Sequence, residues 1–315
     1  MPGITTAATR QPGTAPGRVT APRRRLHIKQ SLEGYLLISP WIIGFLAFTV
    51  VPMIMTFSLS ATDYDVISPP LFTGLDNFRR MMNDDVFGTA LTNTFILSAL
   101  SVIPRISLAL VLAILLNQGL RGTGIFRTIF YLPTVIPAFS SVYMWVILMT
   151  PGSGLLNVIL QGLGLPTLPW LTDPDTAKPS LALMMAYYFG PQMLIFLAAL
   201  QGVPNELLEA AHIDGAGTVR RFVSVTLPLI TPALFFNVVV LVIETLQMFT
   251  YPFLSTMGGP VNSTVTNVMY IYQQGFQNLK MGYAALMSTI LFLIIMVLTA
   301  LQFRLSRWVY YETNV

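Results

Sequence analysis

The sequence is poor in charge: Asp, Glu, Lys and Arg make up 10% of its 315 residues, against roughly 25% in soluble domains, whose surfaces they keep wet. Such a chain must place most of its outer surface out of water. Cysteine is absent altogether, which excludes disulfides, thiolate metal sites and cysteine nucleophiles. Histidine occurs only as His27 and His212, too sparse for a ligand cluster or a Ser-His site, and no aspartate pair lies within an apolar run, so intramembrane hydrolysis has no catalytic set. The lysines follow Ile28, Ala177 and Leu279. A phosphate-cradling loop needs Gly-Lys followed by Ser or Thr, so the chain binds no nucleotide in that way and is expected to be no enzyme. Despite a net charge of +4, the basic residues are scattered between apolar runs and build no aromatic-interleaved face for nucleic acid.

What the sequence does have is apolar length. Hydrophobic types reach 54% and the mean hydropathy is +0.68. A membrane span needs about 20 apolar residues, and six stretches qualify, at about 35–60, 93–116, 126–149, 179–201, 229–254 and 283–303. Residues 1–34 hold no apolar core and are rich in Pro, Gly, Thr and Arg, as in a disordered basic tail rather than a cleaved signal. With that tail in the cytoplasm, Arg10, Arg18, Arg23, Arg24, Arg25, Lys29, Arg121, Arg127, Arg220, Arg221, Arg304 and Arg307 fall on the cytoplasmic side, against Arg79, Arg80, Lys178 and Lys280 outside. Lys and Arg are retained inside, so both termini are expected in the cytoplasm. The outer loops are too short to be folded domains. Trp145, Trp170 and Trp308, near span ends, read as interfacial anchors.

The longest cytoplasmic connection, about 202–227, reads as two short helices rather than a shapeless loop. Asn205 is the expected cap of the first, Glu206 favours its positive end, and Gly215 ends it in the left-handed conformation. Leu207, Ala210, Ala211 and Asp214 recur at one helical face, with two alanines small enough for a partner backbone to approach. A second helix starts near Thr218. On residues alone, an interfacial helix lying on headgroups, favoured by Arg220 and Arg221, is an equal reading.

Polar groups within the spans are costly and usually face a bundle interior or a water-filled path. Asn237, Glu244, Gln247 and Tyr251 are spaced to share one face of the fifth span. Amide, carboxylate and aromatic ring suit a sugar, although interhelical hydrogen bonding explains the same row. Tyr187, Tyr188, Gly190-Pro191 and Gln192 form a second polar patch at an expected kink, because proline removes a helical bond. Arg105, mid-way along the second span, either pairs with Glu244 or reaches for the cytoplasmic interface. About a dozen residues at 1.5 Å each separate it from that end, which favours an inward-facing arginine.

Glu209-Ala210-Ala211, three residues to Gly215, then nine to Val225-Thr226-Leu227-Pro228 resembles the conserved cytoplasmic loop of permease subunits of binding-protein-dependent ABC importers, with Val225 where isoleucine is usual. Phe72-Thr73-Gly74-Leu75-Asp76-Asn77-Phe78, Leu120-Arg121-Gly122-Thr123-Gly124-Ile125-Phe126-Arg127, Trp170-Leu171-Thr172-Asp173-Pro174, Gly258-Gly259-Pro260 and Gly282-Tyr283-Ala284-Ala285 are similar to carbohydrate importer permeases. The end, Arg307-Trp308-Val309-Tyr310-Tyr311-Glu312, looks like the first permease of a maltose- or glycerol-phosphate-type pair. Thr250 departs from the acidic residue that related permeases often carry there.

The resemblance implies an all-α membrane protein of the type I importer permease fold, with residues 35–312 forming a six-span domain. It also implies a coupling role for Glu209, Ala210, Ala211, Asp214, Gly215, Leu227 and Pro228. The implied partners are a second permease, two ATP-binding subunits that hold ATP and Mg, and an extracytoplasmic solute-binding protein. This chain would carry no cofactor of its own, in a bacterial or archaeal cytoplasmic membrane. A sugar is the implied solute, and the polar span residues read above, Arg105, Tyr188, Gln192, Asn237, Glu244, Gln247 and Tyr251, are the candidate lining of its path. A glycerol-phosphate-like ester, which Arg105 would suit, and ion-coupled transport through Arg105 and Glu244 are the rival readings.

Overall fold

The computed structural model describes residues 25–119 and 121–309. It is helical almost throughout. In chain order the helices are α1 (Arg25–Phe45), α2 (Val51–Leu59), α3 (Asp76–Met82), α4 (Asp85–Leu116), α5 (Thr123–Tyr131), α6 (Ala138–Leu148), α7 (Leu155–Gly162), α8 (Pro174–Ala186), α9 (Gly190–Gln201), α10 (Asn205–Ile213), α11 (Thr218–Arg221), α12 (Leu227–Leu229), α13 (Thr231–Leu246), α14 (Thr250–Ser255), α15 (Asn267–Tyr272) and α16 (Met281–Arg304). A two-stranded antiparallel ladder, Thr62–Asp63 with Leu71–Phe72, closes a hairpin between α2 and α3.

The chain forms two units, Met1–Ile54 and Met55–Val315. In the first, helix begins at Arg25, nine residues before the expected end of the tail, and residues 1–24 lie outside the described part. The reason is local: between Pro22 and Gly34 the sequence has no helix breaker and is rich in Arg, Leu, Lys, Gln and Glu, all good helix formers.

Among the described residues, three helical stretches are long and apolar enough to cross a membrane, Gly34–Leu59, Asp85–Leu116 and Met281–Trp308. Three more crossings arise only if bent pairs count as one span each: Thr123–Thr134 with Ala138–Leu148, Pro174–Ala186 with Gly190–Gln201, and Thr218–Leu229 with Thr231–Leu246, bent by 93°, 51° and 65°. The 51° bend falls at the kink expected around Gly190-Pro191. The sharper bend in the third stretch has Pro133 and Pro137 at its break, and neither can supply an amide hydrogen to a continuing helix.

The fifth stretch also breaks where a continuous helix was expected. α13 stops at Leu246 and α14 restarts at Thr250. Pro252 is the cause: within a continuous helix its ring would meet the carbonyl of Met248, and here Thr266 Oγ1 donates to that carbonyl at 3.0 Å instead. A backbone acceptor at this depth is satisfied by a side chain, as apolar surroundings require.

α4 is the central post of the second unit. Ala109 and Ala113 on it are fully buried and lie in a core with Phe189, Met193, Phe196 and Leu197 of the fourth stretch and Ile230 of the fifth. At its other end, Asp84 caps α4 by accepting from the amides of Val86 and Phe87. The same carboxylate accepts from the hydroxyls of Tyr270 and Tyr283, both at 2.7 Å, so one residue clips α4 to α15 and α16. Gly282 beside it leaves room for the hairpin: its amide donates to Tyr64 O at 3.0 Å, and a Cβ there would run into the carbonyl of Thr62.

Candidate functional site

Arg105 is buried, and its neighbours come from two other stretches. Its Nη1 donates to Glu244 Oε1 at 2.8 Å, and its Nε donates to Gln192 Oε1 at 3.2 Å. A guanidinium is permanently charged and presents donors in a fixed fork, so in apolar surroundings it requires an anion and an amide of this kind. α4 supplies the cation, α13 the carboxylate and α9, beyond the Gly190-Pro191 kink, the amide. Between the two alternatives for Arg105, the geometry is the ion pair with Glu244.

The remaining path candidates divide. Tyr188 and Tyr251 meet edge to face, with ring centroids 6.1 Å apart, and the Tyr251 phenol lies within electrostatic reach of Arg105 and Glu244. Tyr188 donates to Ile136 O at 3.2 Å, which ties it to the break in the third stretch. Asn237 and Gln247 join neither group by a hydrogen bond. Asn237 is buried with its Nδ2 unpartnered among the described residues, and Gln247, at the end of α13, donates to Ile243 O at 3.2 Å. The row expected on one face is therefore divided by the break between Leu246 and Thr250: Asn237 and Glu244 lie on α13, Gln247 at its end and Tyr251 on α14.

A polar strip that the sequence reading overlooked lines α4. Thr94, Ser98, Ser101 and Arg105 are all buried and follow one another by 4, 3 and 4 positions, the helical spacing that would have revealed them. Thr94 accepts the amide of Asn267, Ser98 and Thr245 share a 2.6 Å hydrogen bond, and Ser101 lies 3.3 Å from the sulfur of Met185. Arg105 is the last member of a strip along which α4 is held to its neighbours. Trp145 has a buried indole nitrogen with no hydrogen-bond partner among the described residues and stands edge-on to Tyr187 at 5.7 Å. Trp170 is tied down as well, donating to Asn157 Oδ1 at 2.9 Å.

The 202–227 connection is two short helices, as expected, with one correction at its start. Pro204 rather than Asn205 is the cap, and Asn205 is the first helical residue and makes no capping bond; proline's fixed φ places the chain at the entry to the helix. The end is as expected: Gly215 has φ +77°, its amide donates to His212 O, and the amide of Ala216 donates to Ala211 O, each at 3.0 Å. These two bonds form the Schellman arrangement that satisfies the last carbonyls of a helix. Glu209, Ala210 and Asp214 are exposed and Ala211 half-buried, while Ile213 and Val219 are 85% and 77% exposed. Leu227 packs on the Ala109 and Phe196 core, so the far end of the loop is anchored while its middle is open.

The family described as "Binding-protein-dependent transport system inner membrane component" matches residues 105–310, beginning at the buried arginine. The chain is 38% identical over 291 residues to "Probable ABC transporter permease protein YesP" of Bacillus subtilis (strain 168), covering 91% of this chain and 94% of that protein. It is 36% identical over 299 residues to "Lactose transport system permease protein LacF" of Rhizobium radiobacter, covering 91% and 98%. A chain in the crystal structure of a bacterial alginate ABC transporter in complex with an alginate pentasaccharide-bound periplasmic protein superposes with a TM-score of 0.79 at 26% identity, covering 90% of this chain and 97% of that one.

Proposed function

Because the chain belongs to the inner membrane components of binding-protein-dependent transport systems, we propose that it is one of two permeases of an ATP-driven importer of a sugar or oligosaccharide in a bacterial or archaeal cytoplasmic membrane. In this reading the three straight and three bent stretches are six spans, with both termini in the cytoplasm. A binding protein delivers the solute outside, and two ATPase subunits act on α10 and α11 inside.

The observation that carries the reading is α10. A helix of nine residues between two apolar stretches is closed at its end by the Gly215 cap, yet it presents Glu209, Ala210, Asp214 and Ile213 to solvent while Leu227 anchors its return. That is the form of a contact surface for another chain, since exposed apolar side chains on an ordered helix are otherwise a liability. Force applied to α10 passes through the α11 segment to α13, which carries Glu244. The chain performs no covalent chemistry. ATP and the loaded binding protein move solute by favouring opposite states, because a ligand that binds both states equally shifts nothing.

The Arg105 cluster favours a neutral solute over a phosphate ester. The charge an anion would seek is already matched by Glu244, which leaves a surface of hydroxyls, amides and rings.

Affinity purification of the tagged chain from its native membrane, followed by mass spectrometry and by uptake of radiolabelled disaccharides into proteoliposomes, tests the reading. A second permease and an ATPase in fixed ratio, with uptake that requires ATP and the binding protein, is the expected result. A chain that is stable alone and transports along an ion gradient without ATP would replace this reading with ion-coupled transport through Arg105 and Glu244.

A further inference from the structure

A cavity of about 500 Å3 lies beneath the 202–227 connection, where α4 and α9 end. Its wall is apolar, with Ile114 from α4, Leu200 from α9, Leu208 from α10 and Phe222 just past α11. Its polar lining includes Asn117 and Arg221, and no acidic residue lines it. Among the described residues, Arg221 Nε is buried without a hydrogen-bond partner, and Arg221 takes part in neither ion pair formed there. A buried donor left unmade is costly, and a guanidinium at a cavity lined by amides and hydrocarbon is suited to an anionic head, phosphate or carboxylate, carried on a hydrocarbon chain.

We propose that this cavity seats an anionic phospholipid of the cytoplasmic leaflet, its phosphate on Arg221 and its upper acyl carbons against Ile114, Leu200 and Phe222. The inference rests on the orientation proposed above, which brings the ends of α4 and α9 to the headgroup level of the cytoplasmic face. Anionic headgroups concentrate at that level and attract basic residues, and basic pockets between spans at this side hold such lipids. The seat is built partly from the coupling segment itself, through Leu208 and Phe222, and partly from span ends, through Ile114 and Leu200. A bound lipid therefore joins the two and stiffens the path from α10 to α13.

The test uses the assembled transporter with its partner permease, ATPases and binding protein. Native mass spectrometry follows retention of phosphatidylglycerol. ATP-dependent uptake is compared in vesicles of phosphatidylcholine alone and of phosphatidylcholine with one part in four phosphatidylglycerol. Wild type is expected to retain phosphatidylglycerol and to import faster when it is present. Arg221→Gln is expected to lower retention about fivefold, the factor one basic residue contributes at an anionic leaflet, and to lose the difference between vesicles, whereas Arg221→Lys keeps part of both. Equal retention in wild type and Arg221→Gln would overturn the proposal. So would restoration of uptake in phosphatidylcholine vesicles by inorganic phosphate, which would make the cavity a site for free anions. Lipid retention is measured whether or not the complex imports a sugar, so failure of the importer reading and failure of the lipid seat are distinguishable.

Discussion

Arg105 and Glu244, 139 positions apart, meet at 2.8 Å, yet only the arginine is enclosed: its side chain is 6% exposed and that of Glu244 50%. The pair is thus a buried cation held by an acid at the edge of the bundle. Removing the two partners has different consequences. Glu244→Ala leaves Arg105 buried without its counter-charge, a loss on the order of 2–3 kcal/mol, below the roughly 3–5 kcal/mol of a wholly enclosed pair because Glu244 reaches the surface. Arg105→Met with Glu244→Leu restores most of that loss. Thermal unfolding of the purified complex measures both. A double variant no more stable than Glu244→Ala would mean that the pair does not govern packing here.

Gly215 gives a prediction in which space and backbone separate. Nothing lies within 4 Å of a Cβ built there, but φ is +77°. Substitution is therefore opposed by conformation alone. Gly215→Asn, which tolerates the left-handed region, should keep coupling, while Gly215→Val should destabilise the cap by about 1–2 kcal/mol and leave ATP hydrolysis running without uptake. Equal ATP-to-solute ratios in the two variants would contradict the assignment.

The Asp84 clip sets a pH window. Burial works against the Asp84 charge, but hydrogen bonds from Tyr270, Tyr283 and the amides of Phe87 and Val86 outweigh it and hold the carboxyl below its ordinary 3.8. Its contribution is thus present above 3.8 and is lost as pH falls through the lowered folded value. Burial first, then the bond to Asp84, pushes the Tyr270 phenol up to about 12. That contribution is complete below 10 and is lost as pH rises towards 12. Melting temperature against pH should show both flanks in wild type, and Asp84→Asn should flatten the acid one. An unchanged acid flank would mean that other carboxylates set it.

At the fourth-stretch kink, a Cβ on Gly190 would meet Thr134 Cγ2 at 3.0 Å and the backbone of Phe130 and Tyr131 at 3.2 Å. Two of those contacts are main chain and cannot rotate away. Gly190→Ala should cost about 1–3 kcal/mol as overpacking, and it should disturb Gln192, two residues on, and hence solute uptake. Wild-type stability and uptake together in this variant would show that the third and fourth stretches part freely at this point.

Most of the site was legible because membrane burial makes polarity conspicuous: Arg105, Gln192 and Glu244 stand out against apolar neighbours, and the lack of reach to an interface turned the arginine inward. Gly215 was legible for a different reason, since ending a helix ahead of a second one calls for a left-handed residue. The breaks were harder to read. Pro133, Pro137 and Pro252 are visible, but whether proline bends a helix or ends it depends on where the freed carbonyl finds a donor, and Thr266 is 18 positions from Met248. The Asp84 clip escaped for the same reason, because its tyrosines are 186 and 199 positions away, and the strip on α4 was hidden by serine and threonine that pass for ordinary span residues.

The bends in the third, fourth and fifth stretches act as joints. At the Met248 break the displaced carbonyl already has a side-chain donor, and at the other two the prolines had no amide hydrogen to give. Changing the angle at these points ruptures no helical ladder. Rotation at these breaks, and at the 65° bend between Leu229 and Thr231, would reshape the helices relative to one another while each keeps its own backbone bonds.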